Sequence, residues 1–335
     1  MAADNIVVLG AGSVGCFIGG AWAAAGLPVS FIGRPGIAQD IRDHGLTLTD
    51  YAGWRAELRD LDFSCVPAAL ADADVILLAV KSGGTAEAAR EIAQHAREGA
   101  MVISFQNGVS NHDILEAELG DRFRIVRGMV RFNIAYMGDG HFHKGASGDL
   151  WVEDRAETRA LAKSIGAGPA SVKLSGDMVG LAWGKLLINL NNAVSALSGR
   201  TLVEELRERD YRRVVAASQQ EALHLLRRAG IRPAKVGPAP PRLLPWVMRS
   251  PDWLFNHLFL KAWHIDSKAR SSMADDLMAG RKTEVDHING ELVRLAKRVG
   301  ADAPVNGAVV RLVHLAEIDP KPWPPGVLRR EVLGR

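Results

Sequence analysis

Asn5-Ile-Val-Val-Leu-Gly10-Ala11-Gly12-Ser13-Val14-Gly15 runs directly into Cys16 to Gly26 and then into Pro28-Val-Ser-Phe-Ile32. An apolar run meets a glycine turn, a stretch rich in small residues, and a second apolar run. That order predicts strand, turn, helix, strand. Gly10 permits the tight turn, Gly12 leaves room for backbone amides to approach phosphate oxygens, and Gly15 lets the helix lie close to the sheet. Gly19 and Ala23 repeat a small side chain at i+4 and i+8, so the helix packs closely along its length. A glycine turn in this setting is the signature of a dinucleotide site, with the pyrophosphate at the helix N-terminus. The residues assigned to it are Gly10, Ala11, Gly12, Ser13, Val14 and Gly15.

Arg34 decides which dinucleotide. In this kind of fold the end of the second strand meets the adenosine ribose, and an acid there binds the 2′-hydroxyl of NAD. Here the tip reads Phe31-Ile32-Gly33-Arg34-Pro35, with a guanidinium and no carboxylate. A planar fork of donors suits a 2′-phosphate. The reading is NADP(H) over NAD, against the alternative of an ordinary surface arginine in a Gly-Pro turn.

The chain has 335 residues, 47% hydrophobic and 24% charged, which fits a soluble protein of two domains. A net charge of +3, from 41 basic and 38 acidic residues, argues against a nucleic-acid or membrane partner. Cys16 and Cys65 are the only cysteines, so there is no disulfide framework. Cys16 follows the third glycine of the turn and reads as a buried apolar residue. No apolar run reaches the roughly 20 residues of a membrane span, and no signal peptide precedes the first strand. A cytoplasmic protein is expected.

Gly36 to His44 reads as a short helix, and Leu46-Thr-Leu-Thr with Trp54 to Leu58 as a hairpin. Asp74-Val-Ile-Leu-Leu-Ala-Val80 is the continuous apolar run of a parallel strand, ending in Lys81-Ser-Gly-Gly before an alanine-rich helix from Thr85 to Arg97. Met101-Val-Ile-Ser-Phe105 is the next strand and ends in Gln106-Asn107-Gly108. Ligands in open α/β sheets bind at the carboxyl ends of strands, where Lys81 and Asn107 fall. A solvated strand end and a turn residue are the competing readings of the two. Shorter strands over 125–152 are expected to extend the sheet, partly antiparallel. His141 and His143 flank Phe142 on one strand face, and with no cysteine or carboxylate at ligand spacing no zinc site is read there.

Beyond Asp177 the pattern is helical: Met178 to Leu197, Leu202 to Arg228, Ala274 to Met278, Thr283 to Val299 and Ala308 to Ile318. A proline-rich stretch, with Pro238, Pro240, Pro241, Pro245 and Pro251, interrupts it and reads as a lid or an interface. On the first helix Lys185, Asn189 and Asn192 share one face of an otherwise apolar sequence, where burial without partners is costly. Further on lies Ser271-Ser272-Met273, then Arg281-Lys282-Thr283-Glu284-Val285-Asp286-His287-Ile288-Asn289-Gly290. Thr283 and Asp286 read as a capping box that opens a helix at Glu284, and the helix dipole alone would account for both acids. The fold class is α/β: a Rossmann-type dinucleotide-binding domain, residues 1–176, and an all-helical domain, residues 177–335, with the active site expected in a cleft between them.

Taken together, Gly10-Ala-Gly12-Ser-Val-Gly15, Arg34, Ala79-Val-Lys81, Gln106-Asn107-Gly108, Trp183-Gly-Lys185-Leu-Leu-Ile-Asn189, Ser271-Ser272-Met-Ala-Asp-Asp and the 281–290 stretch resemble the ketopantoate reductase (2-dehydropantoate 2-reductase) family. The resemblance covers about Ile6 to Glu317. It implies reduction of 2-dehydropantoate to pantoate with NADPH, on the route to pantothenate and coenzyme A. The family's catalytic lysine matches Lys185, and its substrate-binding asparagine, serine and glutamate match Asn189, Ser272 and Glu284. Asn107 and Lys81 match positions beside the nicotinamide and substrate, and Arg34 the arginine that meets the 2′-phosphate. A homodimer through the helical domain is a further expectation of the likeness.

The chain also departs from that pattern. Family members often carry a second asparagine four residues beyond the first; here that place is Ala193, with Asn192 one residue earlier. The family's later Asn-Gly pair has no counterpart in Ser198-Gly199-Arg200, and the segment 231–262 is longer than in compact members. These changes bear on substrate recognition more than on hydride transfer, so a paralogous reductase of another 2-oxo acid is the runner-up. A non-catalytic NADP(H) sensor is the rival of another class. It needs the glycine turn but not Lys185, Asn189 and Glu284 together.

Overall fold

The computed structural model describes residues 5–237, 239–263, 265–266 and 269–334. Pro238, one of the prolines named above, lies outside them. The chain divides into two compact units, Met1–Met178 and Val179–Arg335.

The first unit contains strands β1 (Ile6–Leu9), β2 (Val29–Ile32), β3 (Leu46–Asp50), β4 (Arg55–Leu58), β5 (Phe63–Ser64), β6 (Val75–Leu78), β7 (Met101–Ser104), β8 (Arg124–Val130), β9 (Ile134–Gly138), β10 (His141–Lys144), β11 (Leu150–Glu153) and β12 (Val172–Ser175). Its helices are α1 (Ser13–Ala24), α2 (Pro35–His44), α3 (Thr85–His95), α4 (Asn111–Leu119) and α5 (Ala156–Ile165). Eight strands form one sheet in the order β12-β11-β8-β7-β6-β1-β2-β5. The six from β8 to β5 run parallel, and β11 opposes β8. Every residue of β1, β6 and β7 is buried, as their unbroken apolar runs require of strands covered on both faces. β1 lies between β2 and β6, where the strand order reverses, and this is where such sheets bind ligands.

The strands over 125–152 correct the expectation in part. β8 and β11 extend the main sheet, but β9 and β10 join β3 and β4 in a separate sheet of order β4-β3-β10-β9. The reason lies in α1, which is apolar all round and needs cover on two sides. A Cβ on Gly19 would come within 2.5 Å of Val8 in the main sheet, whereas one on Gly20 would come within 2.7 Å of Leu46 in the small one. Phe17 meets Trp54 and Phe132 edge-on at 6.4 and 6.0 Å, and Phe142 is fully buried in the same core. His141 and His143 point to the other face, and both rings meet the Thr49 hydroxyl at 2.8 Å.

The second unit is helical: α6 (Met178–Asn189, beginning at the last residue of the first unit), α7 (Asn191–Ser198), α8 (Leu202–Arg207), α9 (Arg209–Arg228), α10 (Leu244–Arg249), α11 (Asp252–Leu254), α12 (Leu260–Ala262), α13 (Ser272–Met278), α14 (Val285–Arg298), α15 (Pro304–Ile318) and α16 (Pro325–Leu333). The amphipathic α9 is the hub, packing on α7, α8, α10, α14, α15 and α16. Two helices read as continuous are each broken. Leu190 separates α6 from α7, and Glu208 leaves helical space at φ −87°, ψ 112° between α8 and α9. Side chains at the breaks are tied to other segments: Asn191 bonds Glu205 at 3.1 Å, and Glu208 pairs with Arg200 at 3.1 Å.

The proline-rich segment folds back on this unit. Ala234 N–H donates to the Gly180 carbonyl at 2.7 Å, and Gly184 has no side chain to obstruct, since a Cβ there would lie 2.1 Å from the Ala234 oxygen. Further along, fully buried Arg212 of α9 donates to the Met248 and Ser250 carbonyls, both at 2.9 Å. It also pairs with Asp252 and lies 4.2 Å from the centre of the Phe255 ring. No helix of the described residues is long and apolar enough to cross a membrane.

Candidate active site

The glycine turn is shaped by close approach on one side and open space on the other. Gly10 has φ +99°, and a Cβ there would sit 2.5 Å from the Val80 nitrogen at the end of β6. Its N–H and that of Ala11 donate to the Ile32 carbonyl at 3.0 and 2.9 Å, fixing the turn to the end of β2. Nothing lies within 4 Å of the place a Cβ on Gly12 would occupy. Gly12 caps α1, and the first turn, with Ser13, Val14 and Gly15, carries no acidic residue. Amides of a helix's first turn lack intrahelical acceptors, and the helix dipole favours an anion there. These features fit a dinucleotide pyrophosphate. Cys16, one residue on, is fully buried, and burial pushes its thiol far above the reactive range.

Gly33 packs against Ala11, 2.8 Å from its Cβ to the position of an added one, so exposed Arg34 emerges beside the turn. Exposed Lys81 follows β6, and Asn107 follows β7. Ser82 links these two ends by donating its hydroxyl to the Asn107 carbonyl at 2.7 Å. Asn111 Nδ2 donates to the same carbonyl at 2.5 Å and to the Ser82 hydroxyl at 3.2 Å. Gln106 Nε2 donates to the Val80 carbonyl at 3.1 Å and to Thr85 at 2.7 Å. Ser82, Thr85, Gln106 and Asn111 are thus a buried polar frame that the sequence left without a role. Its one local signal was polar residues at the carboxyl ends of two buried strands.

In the helical unit, Lys185, Asn189 and Asn192 are half-buried, while Ala193 is fully buried. Burial lowers the Lys185 ammonium to about 8, and the carboxylate of Glu284 acts in the opposite direction. Lys185 and Glu284, distant in sequence, are therefore electrostatic neighbours. Asn191 Nδ2 donates to fully buried Glu205, whose carboxyl burial pushes up to about 8. Since α13 packs on α7, Ser271 Oγ reaches the Asn192 carbonyl at 3.2 Å and also caps α13 through the Ala274 N–H at 3.1 Å. Ser272 is exposed at the first position of α13.

The capping-box reading of Thr283 and Asp286 is corrected. The N-cap of α14 is Glu284, with φ −95°, ψ 24° and no side-chain cap bond. Thr283 instead gives its N–H and its hydroxyl to Glu317 at 2.8 and 2.7 Å, and Asp286 meets His314 at 3.1 Å. An acceptor and a donor supplied by α15, Glu317 and His314, overrode the local motif, and no local pattern foretells partners so distant in sequence.

Residues 6–157 match the family model "Ketopantoate reductase PanE/ApbA", and residues 177–317 match "Ketopantoate reductase PanE/ApbA C terminal". The 2-dehydropantoate 2-reductase of Pyrococcus abyssi is 27% identical over 314 residues, which cover 90% of this chain and 94% of that one. An uncharacterized oxidoreductase, YkpB, of Bacillus subtilis is 25% identical over 94% of this chain and 99% of its own. A PanE/ApbA family ketopantoate reductase from Ralstonia eutropha JMP134 has a similar structure, with TM-score 0.80 and 28% identity over 94% of this chain and 99% of that one. D-mandelate dehydrogenase, solved with NADH and anilino(oxo)acetate, shares the fold at TM-score 0.79 and 21% identity, over 94% of this chain and 99% of that one. With both halves of the chain matched in order, the protein belongs to the PanE/ApbA ketopantoate reductase family of oxidoreductases.

Proposed function

We propose that this protein is an NADPH-dependent reductase of a 2-oxo acid, with 2-dehydropantoate as its substrate and pantoate as its product. The observation that carries the reading is Lys185: a half-buried ammonium, lowered to about 8, beside the Glu284 carboxylate. Bound NADPH supplies the hydride that reduces the keto carbon. Negative charge then develops on the carbonyl oxygen, which Lys185 stabilises and protonates. An acid with a pKa near the working pH is well matched to that task. Asn189 and the catalytic Asn107 orient substrate and lysine, Asn192 also binds the substrate, Ser272 donates to its carboxylate, and Glu284 accepts from its hydroxyl. Gly10 to Gly15 hold the pyrophosphate, Arg34 the 2′-phosphate, and Lys81 and Asn107 lie beside the nicotinamide. A homodimer through the helical unit belongs to the same proposal.

A second reading, a reductase of a different 2-oxo acid, is favoured by one observation. Ala193, which stands where family members often carry a second asparagine, is fully buried and offers no polar group. Steady-state kinetics on 2-dehydropantoate and a panel of branched and aromatic 2-oxo acids separate the two readings by their kcat/KM ranking.

Two expected results follow. If Lys185 must carry its proton, kcat/KM falls about tenfold per pH unit above about pH 8. A level profile well past that pH contradicts the assignment of the acid. Arg34→Ala removes charge-assisted hydrogen bonds to the 2′-phosphate. It is expected to raise the Kd for NADPH about 10- to 100-fold and that for NADH less than about twofold, as titration calorimetry would read. An equal loss for both cofactors would mean that Arg34 does not read the phosphate.

A further inference from the structure

Glu284 lies inside a closed ring of side-chain contacts. Glu317 Oε1 accepts the N–H and the hydroxyl of Thr283, and its Oε2 meets His314 Nδ1 at 3.1 Å. The other ring nitrogen, Nε2, meets Asp286 Oδ1 at 3.1 Å. His314 and Glu317, on one face of α15, therefore grip the chain on both sides of Glu284. Each carboxylate contact needs an N–H, and a neutral imidazole has only one, so this geometry fits the imidazolium. Burial alone would pull His314 down, but the hydrogen bonds and charges of Glu317 and Asp286 outweigh it and hold His314 above its ordinary value.

We infer that His314 is a positioning residue: through Glu317 and Asp286 its charge holds the segment that carries Glu284, and substrate affinity follows that charge. The inference rests on Glu284 being the acceptor of the substrate hydroxyl. The charged groups facing the ring are Asp286 from α14 and Glu317 from its own helix. Arg294 donates to the Asp286 carbonyl and pairs with Glu291, while α7 has no titratable residue. α9 meets α15 through Glu221, which accepts from the Val305 and Asn306 amides, and α16 through Glu331, which faces Arg311. The Glu317 link matters more, because its side chain is 16% exposed against 54% for Asp286, whose contact is screened by solvent. When His314 loses its proton, one ring nitrogen presents a lone pair to a carboxylate, and the ring of contacts opens.

The test measures KM and kcat for 2-dehydropantoate from about pH 6 to about pH 9 in the wild type and in His314→Gln, His314→Arg and Glu284→Gln. The wild-type KM is expected to rise about 3- to 10-fold as His314 deprotonates. His314→Gln should show the high KM throughout with kcat within about twofold. His314→Arg, which keeps its charge, should stay low and flat. A wild-type KM profile in His314→Gln overturns the inference. If Glu284→Gln also binds substrate normally, the fault lies in the reading of Glu284; if Glu284→Gln loses affinity, the fault lies with His314 alone. Amide hydrogen exchange over 283–288 gives a readout independent of turnover: it should quicken in His314→Gln and not in His314→Arg. Unchanged exchange in His314→Gln overturns the inference as well.

Discussion

Replacing Lys185 with methionine is expected to lower kcat by about 10²- to 10⁴-fold, the usual contribution of a positioned general acid, without lowering the melting temperature. The two effects have one cause. Folding moves the ammonium from its ordinary 10.5 to about 8, chiefly because burial disfavours the charge. Between those pH values the unfolded chain binds more protons than the folded one, so this lysine's contribution to stability rises with pH. At neutral pH the charged group opposes folding. A shift of this size, which already includes the attraction to Glu284, corresponds to about 3 kcal/mol at most, and solvent screening of the partly exposed side chain reduces the gain. An inactive variant that melts as high as the wild type, or higher, identifies a group kept for chemistry. One that melts several degrees lower points to a structural lysine.

The second large effect separates two glycines of one turn. Gly10→Ala should destabilise the first unit by about 2–5 kcal/mol, because φ +99° disfavours a side chain and the new Cβ would meet the backbone of Ala79 and Val80 at 2.7 and 2.5 Å. Gly12→Ala meets nothing within 4 Å and should melt like the wild type. It places a methyl where the cofactor's phosphates are proposed to approach, so its Kd for NADPH should rise at least about tenfold. Thermal melts with and without NADPH check both: ligand should raise the wild-type melting temperature and leave that of Gly12→Ala almost unmoved. A Gly12→Ala protein that NADPH stabilises fully would remove the glycine turn from the cofactor site.

The glycine turn was legible because its constraints are local: three glycines, one strand before and one after. Buried parallel strands showed themselves as unbroken apolar runs for the same reason. The small sheet was not legible as a separate layer, since the need for it arises from Gly20 and Phe17 on α1, whose second face must be covered by residues far along the chain. The breaks at Leu190 and Glu208 escaped because helical periodicity passes through them. At the candidate site, Lys185 and Asn189 stood out as polar residues on an apolar helix. The frame of Ser82, Thr85, Gln106 and Asn111 did not, because its meaning is a set of mutual hydrogen bonds between segments. Thr283 misled for a related reason: it fits a capping motif, and Glu317 of another helix holds its hydroxyl.

Reduction of a 2-oxo acid by NADPH, with Lys185 as the proposed proton donor, is read from the loss of NADPH absorbance with 2-dehydropantoate and the 2-oxo acid panel, for wild type and Lys185→Met side by side. Turnover of 2-dehydropantoate is expected with kcat/KM of about 10⁴ M⁻¹s⁻¹ or more, above the other acids, with loss of at least about a hundredfold in the variant. NADPH binding with no oxidation by any acid of the panel, or a Lys185→Met protein that turns over like the wild type, would contradict it.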